Sequence, residues 1–326
     1  MSRRGPMLSA AGGRDMVGLR SDELRKALED AIQRKPSRLN DLLARHSGLP
    51  SPRPNLALAQ AVGDALVEFP VRDVLALLAP WADDDSPTDS ALVFLPVVAA
   101  WGYAALVRDP KSSAATKNEC WSKLASIGAD ERAPVRLATG YALASFAARA
   151  QRSGEQSGGD QLVAAMASWT GLDGFPIEDR EVRWGGLATA LDAIAERGAL
   201  TSIADRARLL EVVSAWIEDI ADAPRAAERS EGRRRSLASI SVAAAVFAKD
   251  IHGAADGAAW LEAECARARH PDLRRAFEAS LERIEKKGIA ERVVTLKKLD
   301  AALLASAKPP RDPTAERKGT RRRGQR

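Results

Sequence analysis

The chain has 326 residues, a length that ordinarily suggests about two domains, although repeat proteins escape that expectation. Alanine fills 63 positions and aromatic residues only 15, so the 45% hydrophobic fraction is dominated by small helix formers and an all-β sandwich or barrel is excluded. With 29% charged residues the chain is also neither fibrous nor polytopic in a membrane, and it is too apolar to be disordered throughout. Net charge is +5, unevenly spread: residues 308–326 carry +6, residues 1–20 carry +3, and the body, 21–307, is left at −4. A mildly acidic body does not advertise nucleic-acid binding over its surface.

In chain order, the spacing of apolar residues and of caps and breakers predicts helices over 21–33, 36–44, 56–69 and 71–79. Pro80 and the turn ADDDSPTDS are expected to close the fourth. The longest uncharged run, Ser90 to Val107, approaches the length of a membrane span. Pro96, Gly102 and its alanines favour instead a helix buried between neighbours. Further helices are expected over 114–127, 133–150, 160–170, 179–197, 202–222, 235–250, 254–269, 271–287 and 290–307, with Gly- or Pro-containing breaks such as GLDGFP at 171–176. Short breaks between helices describe a chain of helical hairpins. The domain expectation is a disordered basic N-terminus over 1–20, a helical body over 21–307 and a disordered basic tail over 308–326.

A weak repeat overlies the hairpins. Segments opening at Gly63, Gly102, Gly140 and Gly186 combine Gly, Ala and Leu and start 39, 38 and 46 residues apart. A period near 40 in a helical chain points to a solenoid of two-helix units, in which Gly and Ala allow close helix approach while Leu fills the groove. Pro134-Val135-Arg136, Glu181-Val182-Arg183 and Asp272-Leu273-Arg274 open helices whose Ala-Leu or Ser-Leu core pair begins seven or eight positions after the aliphatic residue. On these residues the chain resembles the HEAT-repeat family, loosely over about 50–290. The match is best at DERAPVRLATGYALASFA, where Asp130 stands six before Arg136. The resemblance implies an all-α α-solenoid of antiparallel hairpins, with an Asp–Arg ladder between neighbouring units. Arg183 departs from the pattern, having Asp179 only four before it, and Arg274 has no acid six before it.

The inventory for catalysis is thin. His46, His252 and His270 lie in or beside breaks without a second His or Cys at ligand spacing, and read as capping or solvated residues. Cys120 and Cys265 stand 145 residues apart, outside any CxxC spacing, which fits a reducing, cytoplasmic compartment. No phosphate-loop, dinucleotide, zincin or nucleophile-elbow motif is present, so no cofactor and no metal is expected. The acids Asp83, Asp84, Asp85 and Asp89 read as an exposed turn favouring the following helix start. The seven tryptophans are spread about one per helical unit, which favours inter-helix packing.

The expected function is a non-enzymatic scaffold or adaptor that binds a protein partner on an extended helical-repeat surface, with Arg136, Arg183 and Trp184 as candidate contacts on a concave face. The alternative is a nucleic-acid-associated protein, whose basic tail would meet phosphates or an acidic partner through Arg317, Lys318, Arg321, Arg322, Arg323 and Arg326. A more distant alternative compares Trp184 with Asp179 or Asp192 to the Trp and Asp used by HEAT-like alkylpurine DNA glycosylases.

Overall fold

The computed structural model describes residues 21–51, 53–149, 156–286 and 301–303. It is all-α, with no β-strand among the described residues. The chain divides into two compact units, residues 1–142 and 143–326.

The first unit contains α1 (Ser21–Ile32), α2 (Ser37–His46), α3 (Leu56–Leu66), α4 (Val71–Ala82), α5 (Phe94–Arg108) and α6 (Ala114–Gly128), and α7 (Ala133–Ala148) begins in it. The starts follow the capping chemistry: Asn55 accepts from Leu58 N, Ser113 from Thr116 N, and both lie where sequence places them. One end is shifted. α4 runs through Pro80 to Ala82, one turn beyond the expected stop. The ring of a proline disturbs only the hydrogen bond to the carbonyl four residues earlier, so a last half-turn beyond it is tolerated.

Helix α5 is the centre of this unit. Every residue from Phe94 to Val107 is buried, which makes the long uncharged run a core helix, packed on α2, α3, α4 and α6. Each Val, Leu or Phe so covered contributes about 1.5–3 kcal/mol relative to exposure. The glycine repeat acts where α5 meets α3 and α4. A Cβ on Gly63 would lie 2.8 Å from the Trp101 carbonyl oxygen, and one on Gly102 would meet the Leu78 methyls at 2.8 and 2.9 Å and a Leu66 methyl at 3.3 Å. Both glycines are there because the opposing helix occupies the space a side chain would need.

The second unit continues with α8 (Gly158–Thr170), α9 (Arg180–Ala195), α10 (Arg206–Ala221), α11 (Glu231–Asp250), α12 (Gly257–Arg267) and α13 (Pro271–Lys286). Alternate helices pack together: α8 on α10 and α10 on α12, α9 on α11 and α11 on α13. Helix α11 starts at Glu231, four residues before the expected 235, because Ser230 caps it by accepting from Arg233 N. The interleaving of Arg225, Arg229, Arg233, Arg234 and Arg235 with Glu228 and Glu231 predicts a solvated, salt-bridged face; Arg234 is exposed and pairs with Glu231, whereas Arg233 is 1% exposed. Of the helix expected over 290–307, only 301–303 are among the described residues, and they are helical. The basic ends expected over 1–20 and 308–326 lie outside them.

Candidate functional site

The cluster at the start of α9 gathers the largest number of residues singled out by sequence. Asp179 caps the helix, its carboxylate accepting from Glu181 N at 2.9 Å and Val182 N at 3.3 Å. One turn on, Arg183 reaches α10, where its Nε donates to Asp219 Oδ2 and its Nη2 to Asp219 Oδ1, both at 3.1 Å, and its Nη1 donates to the Ile177 carbonyl. Trp184 Nε1 donates to the same Asp219 at 2.7 Å, and the Arg180 guanidinium lies 5.5 Å from the indole centroid. One carboxylate thus satisfies a two-pronged guanidinium and an indole together, the arrangement in which arginine and aspartate pair best.

That geometry corrects two of the candidate contacts. Trp184 is 0% and Arg183 7% exposed, and both point inward to α10, so neither is presented to a partner. The comparison with a Trp–Asp pair handling a base meets the same obstacle: Asp179 is engaged as a helix cap, and Asp192 stands eight residues from Trp184 on α9, about 12 Å along the helix. Arg136 is half-buried, its Nη1 donating to the carbonyls of Asp130, at 3.0 Å, and Glu131. The carboxylate of Asp130 goes instead to Arg132, whose Nη2 also donates to the Asp84 carbonyl at 2.6 Å and whose Nη1 donates to the Ser86 carbonyl at 2.9 Å. The pairing expected between Asp130 and Arg136 is therefore made by Arg132, which ties the α6–α7 turn back to the α4–α5 turn. Its hydrogen bond with Asp130 is the main reason its pKa is raised further. The tail residues Arg317, Lys318, Arg321, Arg322, Arg323 and Arg326 lie outside the described residues.

Similar ties recur one hairpin apart in the second unit. Arg233 Nη1 donates to Asp272 at 2.8 Å, across 39 residues, and its Nη2 lies 3.2 Å from both ring nitrogens of His270. His270 Nδ1 also accepts from Asp272 N at the start of α13, the capping role expected of it. Arg208 pairs with Asp173 across 35 residues, Arg235 donates to Thr189 at 3.0 Å across 46, and Glu181 accepts from Gly232 N at 2.8 Å across 51. Asp192, on α9, has its pKa raised chiefly by burial, against the lowering effect of a hydrogen bond with Ser239.

Among the described residues, clefts and a loop offer access to other molecules. In the first unit a cleft of about 800 Å³ is lined by Leu77, Trp81 and Leu95, with Arg34, Arg72 and Asp73 beside them. In the second a cleft of about 460 Å³ has Glu218, Arg267 and His270 on its wall. Among the described residues no group of three His, Cys, Asp or Glu side chains is placed to hold a metal ion. Both cysteines are buried thiols, and burial, with Glu119 adding to it, pushes Cys120 up to about 12. Such thiols are poor nucleophiles.

The loop between α8 and α9 was legible only as a break. It bears Phe175, 97% exposed, and Leu172, 37% exposed. The signal for it in sequence is the aromatic residue set between Gly174 and Pro176, a pair of turn-favouring residues. No family model, curated protein or solved structure matches the chain.

Proposed function

We propose that the chain is an α-solenoid of HEAT-like helical hairpins acting as a non-enzymatic scaffold or adaptor for a protein partner. The observation that supports this most is the packing of alternate helices over residues 143–286, α8 on α10 on α12 and α9 on α11 on α13, with ion pairs and hydrogen bonds joining residues one hairpin apart. Stacked hairpins bury a continuous core through nearest-neighbour contacts and leave long outer faces for binding. Small-angle scattering on the full chain tests the architecture, and an elongated particle is the expected result. Purification of the tagged chain from its native cells, followed by titration with the co-purifying protein, tests the role. A compact particle, or the lack of any saturable protein partner, would remove this reading.

The charge of the C-terminal residues favours a second reading, contact with nucleic acid, since 308–326 hold +6 with almost nothing apolar. If four to six phosphates are engaged, log K against log salt for duplex DNA should have a slope of roughly −4 to −5. Deleting 308–326 should flatten that slope. Equal binding by the intact and shortened chains would place any DNA contact elsewhere, and no binding at low salt by either would leave the protein scaffold alone.

A further inference from the structure

Isolated exposed apolar side chains are ordinary on protein surfaces. Phe175 is a different case, because its ring is bare on a loop that the rest of the unit holds in place. Gly171, at φ 86°, ends α8 in the left-handed conformation, and Pro176 folds so closely over it that a Cβ there would lie 2.8 Å from the proline Cδ. Leu172 N donates to the Ala167 carbonyl at 2.9 Å and Ile177 N to the Trp169 carbonyl at 3.3 Å, returning both arms of the loop to α8. From the other side, Arg183 donates to the Ile177 carbonyl and Arg208 of α10 pairs with Asp173. The loop is thus tied to α8, α9 and α10, and its apolar tip faces solvent. An aromatic side chain held this way loses little conformational freedom on being buried by a partner.

Charge decides what could cover it. Residues 171–181 contain Asp173, Glu178, Asp179 and Glu181 against Arg180, a net −3, and all four acids are exposed. Anionic lipid headgroups and nucleic-acid phosphates are repelled by such a collar, whereas a basic protein surface is drawn to it. The geometry points to the α8–α9 loop as a docking anchor: Phe175, flanked by Leu172, enters an apolar pocket of a protein partner whose rim carries lysine and arginine. This deepens the scaffold reading and rests on it, naming the surface and the chemistry of the partner.

The test uses the full chain with a photoreactive benzoylphenylalanine at position 175, cross-linked in native cells. The cross-linked protein is then purified and titrated with the wild-type chain, Phe175→Ala and Glu178→Lys. Loss of a buried aromatic anchor should weaken binding by about tenfold or more, and Glu178→Lys by a smaller, salt-dependent factor. The cross-link should map to an apolar pocket bordered by basic residues, and the thermal midpoint of Phe175→Ala should equal that of wild type. Equal affinity of wild type and Phe175→Ala would overturn the anchor while leaving the scaffold reading intact. A cross-link to a second copy, with self-association lost in Phe175→Ala, would replace the basic partner by the chain itself. Phe175-dependent binding to mixed phosphatidylcholine and phosphatidylglycerol vesicles would also overturn it. If the wild-type chain holds no protein at all, the scaffold reading fails and the anchor with it.

Discussion

In residues 21–142 one helix is buried on every face, α5 from Phe94 to Val107, and its neighbours are arranged round it. Among the described residues of 143–286, α9 is enclosed over Arg183–Leu191, but no helix is buried along nearly its whole length as α5 is. There α9, α11 and α13 follow one another, joined by polar groups that bridge one hairpin to another, such as Arg183 to Asp219, Arg233 to Asp272 and Ser280 Oγ to the Ser241 carbonyl at 2.9 Å. Polar bridges occur in the first unit too, from Arg132 to the Asp84 carbonyl and from Trp81 Nε1 to Asn40 at 3.0 Å, so the difference is one of arrangement. Apolar burial supplies most of the stability but tolerates any neighbour of similar volume, whereas a buried charge accepts only the partner that satisfies it. Both units thus take register from polar ties, the first round one enclosed helix and the second along a row of helices.

The most severe way to break the first arrangement is a charge inside α5. Val98→Asp places an unpaired carboxylate at a position with 0% exposure, and should cost more than about 4 kcal/mol, read as a collapse of the urea midpoint. A loss near that of a surface substitution would show that α5 is not enclosed.

The matching test in the second unit is Asp219→Ala, which strips Arg183 and the Trp184 indole of their shared acceptor. The expected loss is about 2–4 kcal/mol by urea denaturation, because the donors left behind are buried. Asp219→Asn keeps one oxygen for the indole and should lose less. Equal losses in the two variants would mean that the charge, absent from both, accounts for the whole effect and that an acceptor oxygen kept for the indole adds nothing.

A finer probe compares the two glycines of the first unit. Gly63→Ala drives a methyl against the Trp101 backbone and should destabilise by about 1–3 kcal/mol, in the range of overpacked cores. Gly102→Ala meets the ends of leucine side chains, which can turn aside, so its thermal midpoint should fall less. The reverse order would place the rigid contact on the α4 side.

The smallest effect concerns Asp192. Burial raises its pKa in the folded protein above the unfolded value, so the native state keeps this proton to higher pH than the unfolded chain does. The stability linked to that proton is complete below the unfolded value, about 3.9, and is lost as pH rises through the folded one. Asp192→Asn should therefore raise the thermal midpoint at pH 7, and the advantage should vanish well below pH 4. An equal gain at both pH values would assign the effect to packing.

Helix positions were legible because caps and breakers are local. Asn55, Ser113 and Asp179 sit where each helix begins, and Gly63 and Gly102 could be singled out as close-packing glycines from their spacing. Facing was harder to read. Over Arg183–Leu191 helix α9 is buried all round, so there is no polar stripe to tell which side Trp184 occupies, and the adjacent arginine suggested a surface. The interleaved acids around Arg233 likewise suggested a solvated face, because its true partner, Asp272, is 39 residues away. At Asp130 the carboxylate goes to Arg132 two residues on and not to Arg136, a choice that depends on where the turn containing Asp84 comes to rest.

Glu181 has a consequence for how such a chain can change over generations. Its carboxylate seals the first turn of α11 by accepting from Gly232 N, and a Cβ at 232 would sit 2.6 Å from that carboxylate oxygen. Both halves of this joint must be inherited together: an acid of the right reach on one helix, and a residue without a side chain two positions into the other. Duplication or excision of a hairpin between them would bring unmatched ends into the same space. Modularity is therefore low at this junction, and gain or loss of whole hairpins meets less resistance where neighbours are joined by apolar contact alone.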